Sequence, residues 1–116
     1  MAIKCENLNF LILNNTNVSD FTLHTFAKNS HKLSVLMLDN TSVSDLTLQL
    51  FVQRVHRLKI LGLSNTAVTA STLQLFSDKA HGIQVLELNN TPVTDSVLHF
   101  FARKSHELYA LGLSNT

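Results

Sequence analysis

A nine-residue phrase returns every 25 positions along this chain, at Leu8, Leu33, Leu58, Ile83 and Leu108: LNFLILNNT, LSVLMLDNT, LKILGLSNT, IQVLELNNT and LYALGLSNT. This periodicity constrains the architecture more than any single residue does. A unit of this length cannot bury its own apolar face, so successive units must stack as coils of a solenoid and bury it against one another. The expected domain is single, over residues 1–116, with full units 8–32, 33–57, 58–82 and 83–107 and partial units 1–7 and 108–116. Neither end shows a polar capping unit, so the chain reads as a fragment of a longer array, or as one whose ends stack on identical copies.

The places within a unit divide by period. In Leu33–Arg57 the fourth and sixth places, Leu36 and Leu38, share one face of a strand because side chains alternate with period two. The next segment, SVSDLTLQLF, changes to helical spacing. Ser44 is placed as the helix cap, Asp45 sits in the first turn, and Val43 before the cap is set to pack against Leu48. The same staple recurs as Val18 with Leu23, Val68 with Leu73 and Val93 with Leu98. Leu48 and Phe51, three apart, make an apolar ridge toward the strand, and Phe26, Phe51, Phe76 and Phe101 form a column through the stack. The fold class expected is α/β, with parallel strands alternating with helices.

The pattern LxxLxLxxTxV[ST]DxxLxxF resembles the leucine-rich repeat, and within it the cysteine-containing subclass of F-box leucine-rich-repeat proteins. Cys5-Glu6-Asn7-Leu8 keeps that subclass's CxxL, and VSD, VTA and VTD stand where it carries ITD. The later units place Ser30, Val55, Ala80 and Ser105 where the CxxL cysteine would be, and threonine fills the ninth place in every unit. The resemblance implies a right-handed β-α superhelix with strands lining a concave face and helices on the convex one. It also implies a non-catalytic protein-interaction role, in one version the substrate-recognition part of a ubiquitin-ligase receptor.

On such a solenoid the variable strand places three, five and seven face away from the core. The residues expected to contact a protein partner are Phe10, Ile12, Val35, Met37, Asp39, Lys59, Ile60, Val85, Glu87 and Tyr109: an apolar band with polar members at its rim. The alternative reading is a structural module that self-associates end to end.

Other recurring residues read as structural. Asn15, Asn40, Asn65 and Asn90 leave each strand at a sharp turn, beside Thr16, Thr41, Thr66 and Thr91. Short polar side chains satisfy backbone groups there, and asparagine tolerates the left-handed conformation. His31, His56, His81 and His106 precede the strands and are expected to bond backbone groups between helix and strand. No HxxxH or CxxC spacing gathers metal ligands within a unit. The basic residues Arg54, Lys79 and Lys104, with Lys28, Arg57 and Arg103, fall near helix C-termini, where cations complement the helix dipole. A net charge of +1 gives no reason to expect a nucleic-acid partner. With neither a nucleophile motif nor a glycine-rich phosphate loop, no enzyme activity and no cofactor are expected. A lone cysteine, no signal-peptide pattern and no apolar run near the roughly 18 residues of a membrane span favour a cytoplasmic or nuclear protein.

Overall fold

Each LxxLxL segment forms a short strand, and each segment after a Ser or Thr cap forms a helix. The computed structural model describes residues 7–116; Cys5 and the rest of the opening part-unit lie outside the described residues. In chain order the elements are β1 (Phe10–Ile12), α1 (Asp20–Asn29), β2 (Val35–Met37), α2 (Asp45–Val52), β3 (Ile60–Gly62), α3 (Ala70–Lys79), β4 (Val85–Glu87), α4 (Asp95–Lys104) and β5 (Ala110–Gly112). The strands make one parallel sheet in sequential order, β1-β2-β3-β4-β5.

Register follows the sequence period. Phe10 pairs with Val35, Val35 with Ile60, Ile60 with Val85 and Val85 with Ala110. Every step is 25 residues, so each column of the sequence becomes a column in space. Backbone pairing runs beyond the strands themselves. The Asn9 carbonyl accepts from Ser34 N at 2.8 Å, and Asn15 N donates to the Asp39 carbonyl at 2.9 Å, with equivalent bonds at later units. Seven consecutive places of each unit are thereby tied to the next.

The core lies between sheet and helices. Leu36, Leu38, Leu61, Leu63, Leu86 and Leu88 from the strand segments meet Leu23, Leu48, Leu73, Phe51, Phe76 and Phe101 from the helices, all fully buried or nearly so. Each such side chain contributes on the order of 1.5–3 kcal/mol before conformational entropy is set against it. The staple residues Val43 and Val68 are buried in the same core, whereas Val18 and Val93 pack on it half-exposed. Phe26, at one end of its column, is likewise only half-buried.

Helix starts are set by Ser19, Ser44, Thr69 and Thr94, each extended in backbone, with its hydroxyl accepting from the N–H three residues on. That bond satisfies one of the donors left open by the first turn. At the other end of the strand, Asn15, Asn40, Asn65, Asn90 and Asn115 all adopt φ between 55° and 60°. Asparagine is among the few residues that enter this left-handed region readily.

Candidate functional site

The helix-free face of the sheet carries places three, five and seven, as the strand alternation requires. Its exposure is uneven. Phe10 and Ile12 are 61% and 60% exposed, with Leu11 between them buried against the helices. Tyr109, at the second place of the last unit and just before β5, is 76% exposed. Val35, Met37, Asp39, Ile60, Val85 and Glu87 are half-buried on this face, whereas Lys59, expected there, sits at the second place of its unit and lies instead over Gly82 beside Glu107.

Two glycines shape this face. A side chain at Gly62 would meet the Met37 thioether and the Asp39 carboxylate, and one at Gly112 would meet the Glu87 carboxylate. Met37 and Glu87 therefore lie over the glycine of the following unit. The fifth place, Ile12, Met37, Gly62, Glu87, Gly112, sets a glycine after Met37 and another after Glu87, and leaves Ile12 as its most exposed member.

The seventh place forms a ladder. Asp39 N donates to Asn14 Oδ1 at 2.8 Å, Ser64 N to Asp39 Oδ1 at 2.8 Å, Asn89 N to Ser64 Oγ at 3.0 Å and Ser114 N to Asn89 Oδ1 at 2.7 Å. Each side chain thus satisfies the backbone of the next unit. Asp39, expected at the rim of a binding patch, is also a rung of this ladder. Burial pushes its carboxyl above the usual carboxylate range, and the Ser64 N–H offsets part of that.

At the neighbouring turn the asparagines and threonines divide the work. Thr16, Thr41, Thr66, Thr91 and Thr116 donate their hydroxyls to the carbonyl three residues back, closing the turn within a unit at 2.7–2.8 Å. Asn40 Nδ2 donates to Asn15 Oδ1 and Asn65 Nδ2 to Asn40 Oδ1, each at 2.7 Å, linking one unit to the next.

The histidines are all exposed and act separately. His81 Nε2 donates to the Asp78 carbonyl. His31 Nδ1 instead accepts from Arg54 Nη1 of the next unit at 3.1 Å, since a guanidinium can only donate. Among the described residues no group of three or more His, Cys, Asp or Glu is placed to hold a metal ion.

Two features escaped the sequence reading. Phe21 and Leu46, neighbours in one column of adjacent helices, are 80% and 75% exposed, while Ser71 and Ser96 continue that column. Lys59 also reaches over Gly82 to Glu107 Oε2, 48 residues away, at 3.0 Å. The apolar column is visible once the units are aligned; the ion pair is not, because it joins two different places of the repeat across 48 residues.

Among the described residues no helix is long and apolar enough to cross a membrane. In comparisons with known proteins, no family model matches the chain and no curated protein sequence matches it significantly.

Proposed function

We propose that this chain is a protein-interaction module of the leucine-rich-repeat type, a curved solenoid that binds a protein partner on its helix-free sheet face. The observation that carries this reading is the exposure of Phe10 and Ile12, at 61% and 60%, on the face that the helices leave open. Adjacent large apolar side chains in water are favoured where a partner covers them. The in-phase 25-residue register supports the repeat assignment, since it lays equivalent residues of every unit side by side. Half-buried Val35, Ile60 and Val85 extend the apolar strip, and Tyr109 offers an aromatic anchor with a polar tip. The module is non-catalytic in this reading, and a ubiquitin-ligase substrate receptor is one specific form of it.

The test is affinity capture, followed by binary binding with the purified partner. Phe10→Asp combined with Ile12→Asp should abolish binding and leave the thermal unfolding temperature within a few degrees, because both side chains are already largely hydrated. Undiminished binding by that variant, or by Val35→Asp with Ile60→Asp, removes the open face as the recognition surface. Light scattering separates this reading from end-to-end stacking, which requires a mass that rises with concentration.

A further inference from the structure

The place before each strand, position 25 of the unit, reads Lys32, Arg57, Gly82 and Glu107. Gly82 is the only member of that column without a side chain, and a groove of about 430 Å³ opens around it. Its walls are Lys59, His81, Arg103, Lys104, His106 and Glu107. Three permanent cations and two imidazoles thus face one carboxylate. On a chain whose net charge is only +1, this is a local concentration of positive charge. The floor is charged as well: a Cβ built on Gly82 would lie 2.9 Å from Lys59 Nζ. Glu107 holds that ammonium at 3.0 Å, so the carboxylate both neutralises part of the groove and competes with any incoming anion.

Complementing the dipole of α4 accounts for Arg103 and Lys104 taken alone. It does not account for Lys59, which belongs to another unit, or for the missing side chain at Gly82. We propose that this groove binds a phosphomonoester dianion, with Arg103 and Lys104 as its principal charge partners and Lys59 beneath it. A guanidinium fork offers paired donors to phosphate oxygens, and ammonium groups add charge without geometric demand. The volume suits a phosphorylated side chain or a small phosphorylated compound. The site is separate from the proposed recognition face and does not depend on it.

The experiment is a titration of the isotopically labelled chain, followed by its backbone amide resonances. Inorganic phosphate, a phosphoserine peptide and its unphosphorylated counterpart are added in turn against chloride at matched ionic strength. Saturable shifts confined to Gly82 and residues 103–107 are expected for both phosphate probes and not for the unphosphorylated peptide. Tighter binding of the peptide identifies a phosphorylated protein as the source, and tighter binding of inorganic phosphate a small compound. Arg103→Ala with Lys104→Ala should weaken binding about tenfold, whereas Glu107→Gln, which frees Lys59, should tighten it about threefold. All these positions are exposed, so unchanged circular dichroism melts are expected to accompany both effects. Shifts that match chloride, variants that leave the affinity unaltered, or equal affinity for a phosphodiester oligonucleotide would each overturn the proposal.

Discussion

The Asp20 carboxylate closes the first turn of the helix that follows it in the stack, accepting from Ser44 N at 2.7 Å and from Ser44 Oγ at 3.0 Å. Ser44 Oγ in turn accepts from Thr47 N, and Thr47 Oγ1 donates to Asp20 Oδ2 at 3.1 Å. In an isolated helix the residue three places after the cap reaches back to the cap's N–H. Here an aspartate from the preceding unit performs that task, so helix capping and unit stacking become one interaction. Asp45 repeats it with Thr69 and Thr72.

Asp20→Ala should therefore lower stability by about 1–2 kcal/mol in urea unfolding at pH 7, as three hydrogen bonds to a carboxylate are lost. Burial alone would push the Asp20 carboxyl up, but the bonds from Ser44 and Thr47, with His24 nearby, outweigh it and hold the group below 3.8. A depressed folded value gives stability that is present above 3.8 and lost as pH falls through that folded value. The difference between parent and variant should accordingly shrink in acid. A gap of unchanged size at low pH would show that the carboxylate is not its source.

The junction between the third and fourth units lacks both partners of this device. Ala70 stands where Asp20 and Asp45 stand, and Val97 where Thr47 and Thr72 stand. Val97 is buried, so Val97→Thr alone should cost about 1 kcal/mol by hiding an unpaired hydroxyl. Ala70→Asp in the same chain supplies the acceptor and should recover that loss. A double-mutant cycle measures this directly, and a coupling below about 0.3 kcal/mol means that the rung does not form.

The alternating βα order, parallel pairing, capping residues and left-handed asparagines were legible because each depends on local spacing or on a backbone preference within one unit. Ser44 could be read as a cap from its place before an apolar helical run. What Asp20 does could not, since its partners are 24 and 27 residues away and its first-turn position has a sufficient local explanation in the helix dipole. Asp39 and Met37 show the same limit on the open face. Alternation places both away from the helices, but their half-burial comes from Ser64 and Gly62 of the next unit. Columns of small polar acceptors at the seventh place, Asn14, Asp39, Ser64 and Asn89, are the sequence trace of that ladder.

Asp39 is the one ionisable member of the seventh-place ladder, and its pH effect is opposite in sign to that of Asp20. With its folded value raised by burial, ionisation is disfavoured in the folded chain, so this residue weakens the fold at neutral pH and the penalty is relieved as pH falls toward 3.8. Asn14 and Asn89 show that an amide oxygen serves the same rung. Asp39→Asn should thus hold or raise the urea midpoint at pH 7, by on the order of 0.5 kcal/mol for a half-exposed charge, and should flatten the acid limb. A clear loss of stability at pH 7 would mean that the negative charge itself is needed at this rung.

Asn65 combines a left-handed backbone, φ 55°, with a side-chain bond to Asn40. Two substitutions separate these contributions. Both Asn65→Gly and Asn65→Ala remove the exposed amide bond, which is worth a few tenths of a kcal/mol to about 1 kcal/mol. Glycine accepts the positive φ without strain but adds unfolded-state entropy, whereas alanine must hold a conformation that costs about 1–2 kcal/mol. The expected order of urea midpoints is parent, then Asn65→Gly, then Asn65→Ala, with the alanine variant below the glycine variant despite alanine's smaller entropy cost. Equal midpoints for the two variants would show that the turn relaxes out of the left-handed region, and that the recurring asparagine serves the inter-unit bond rather than the backbone.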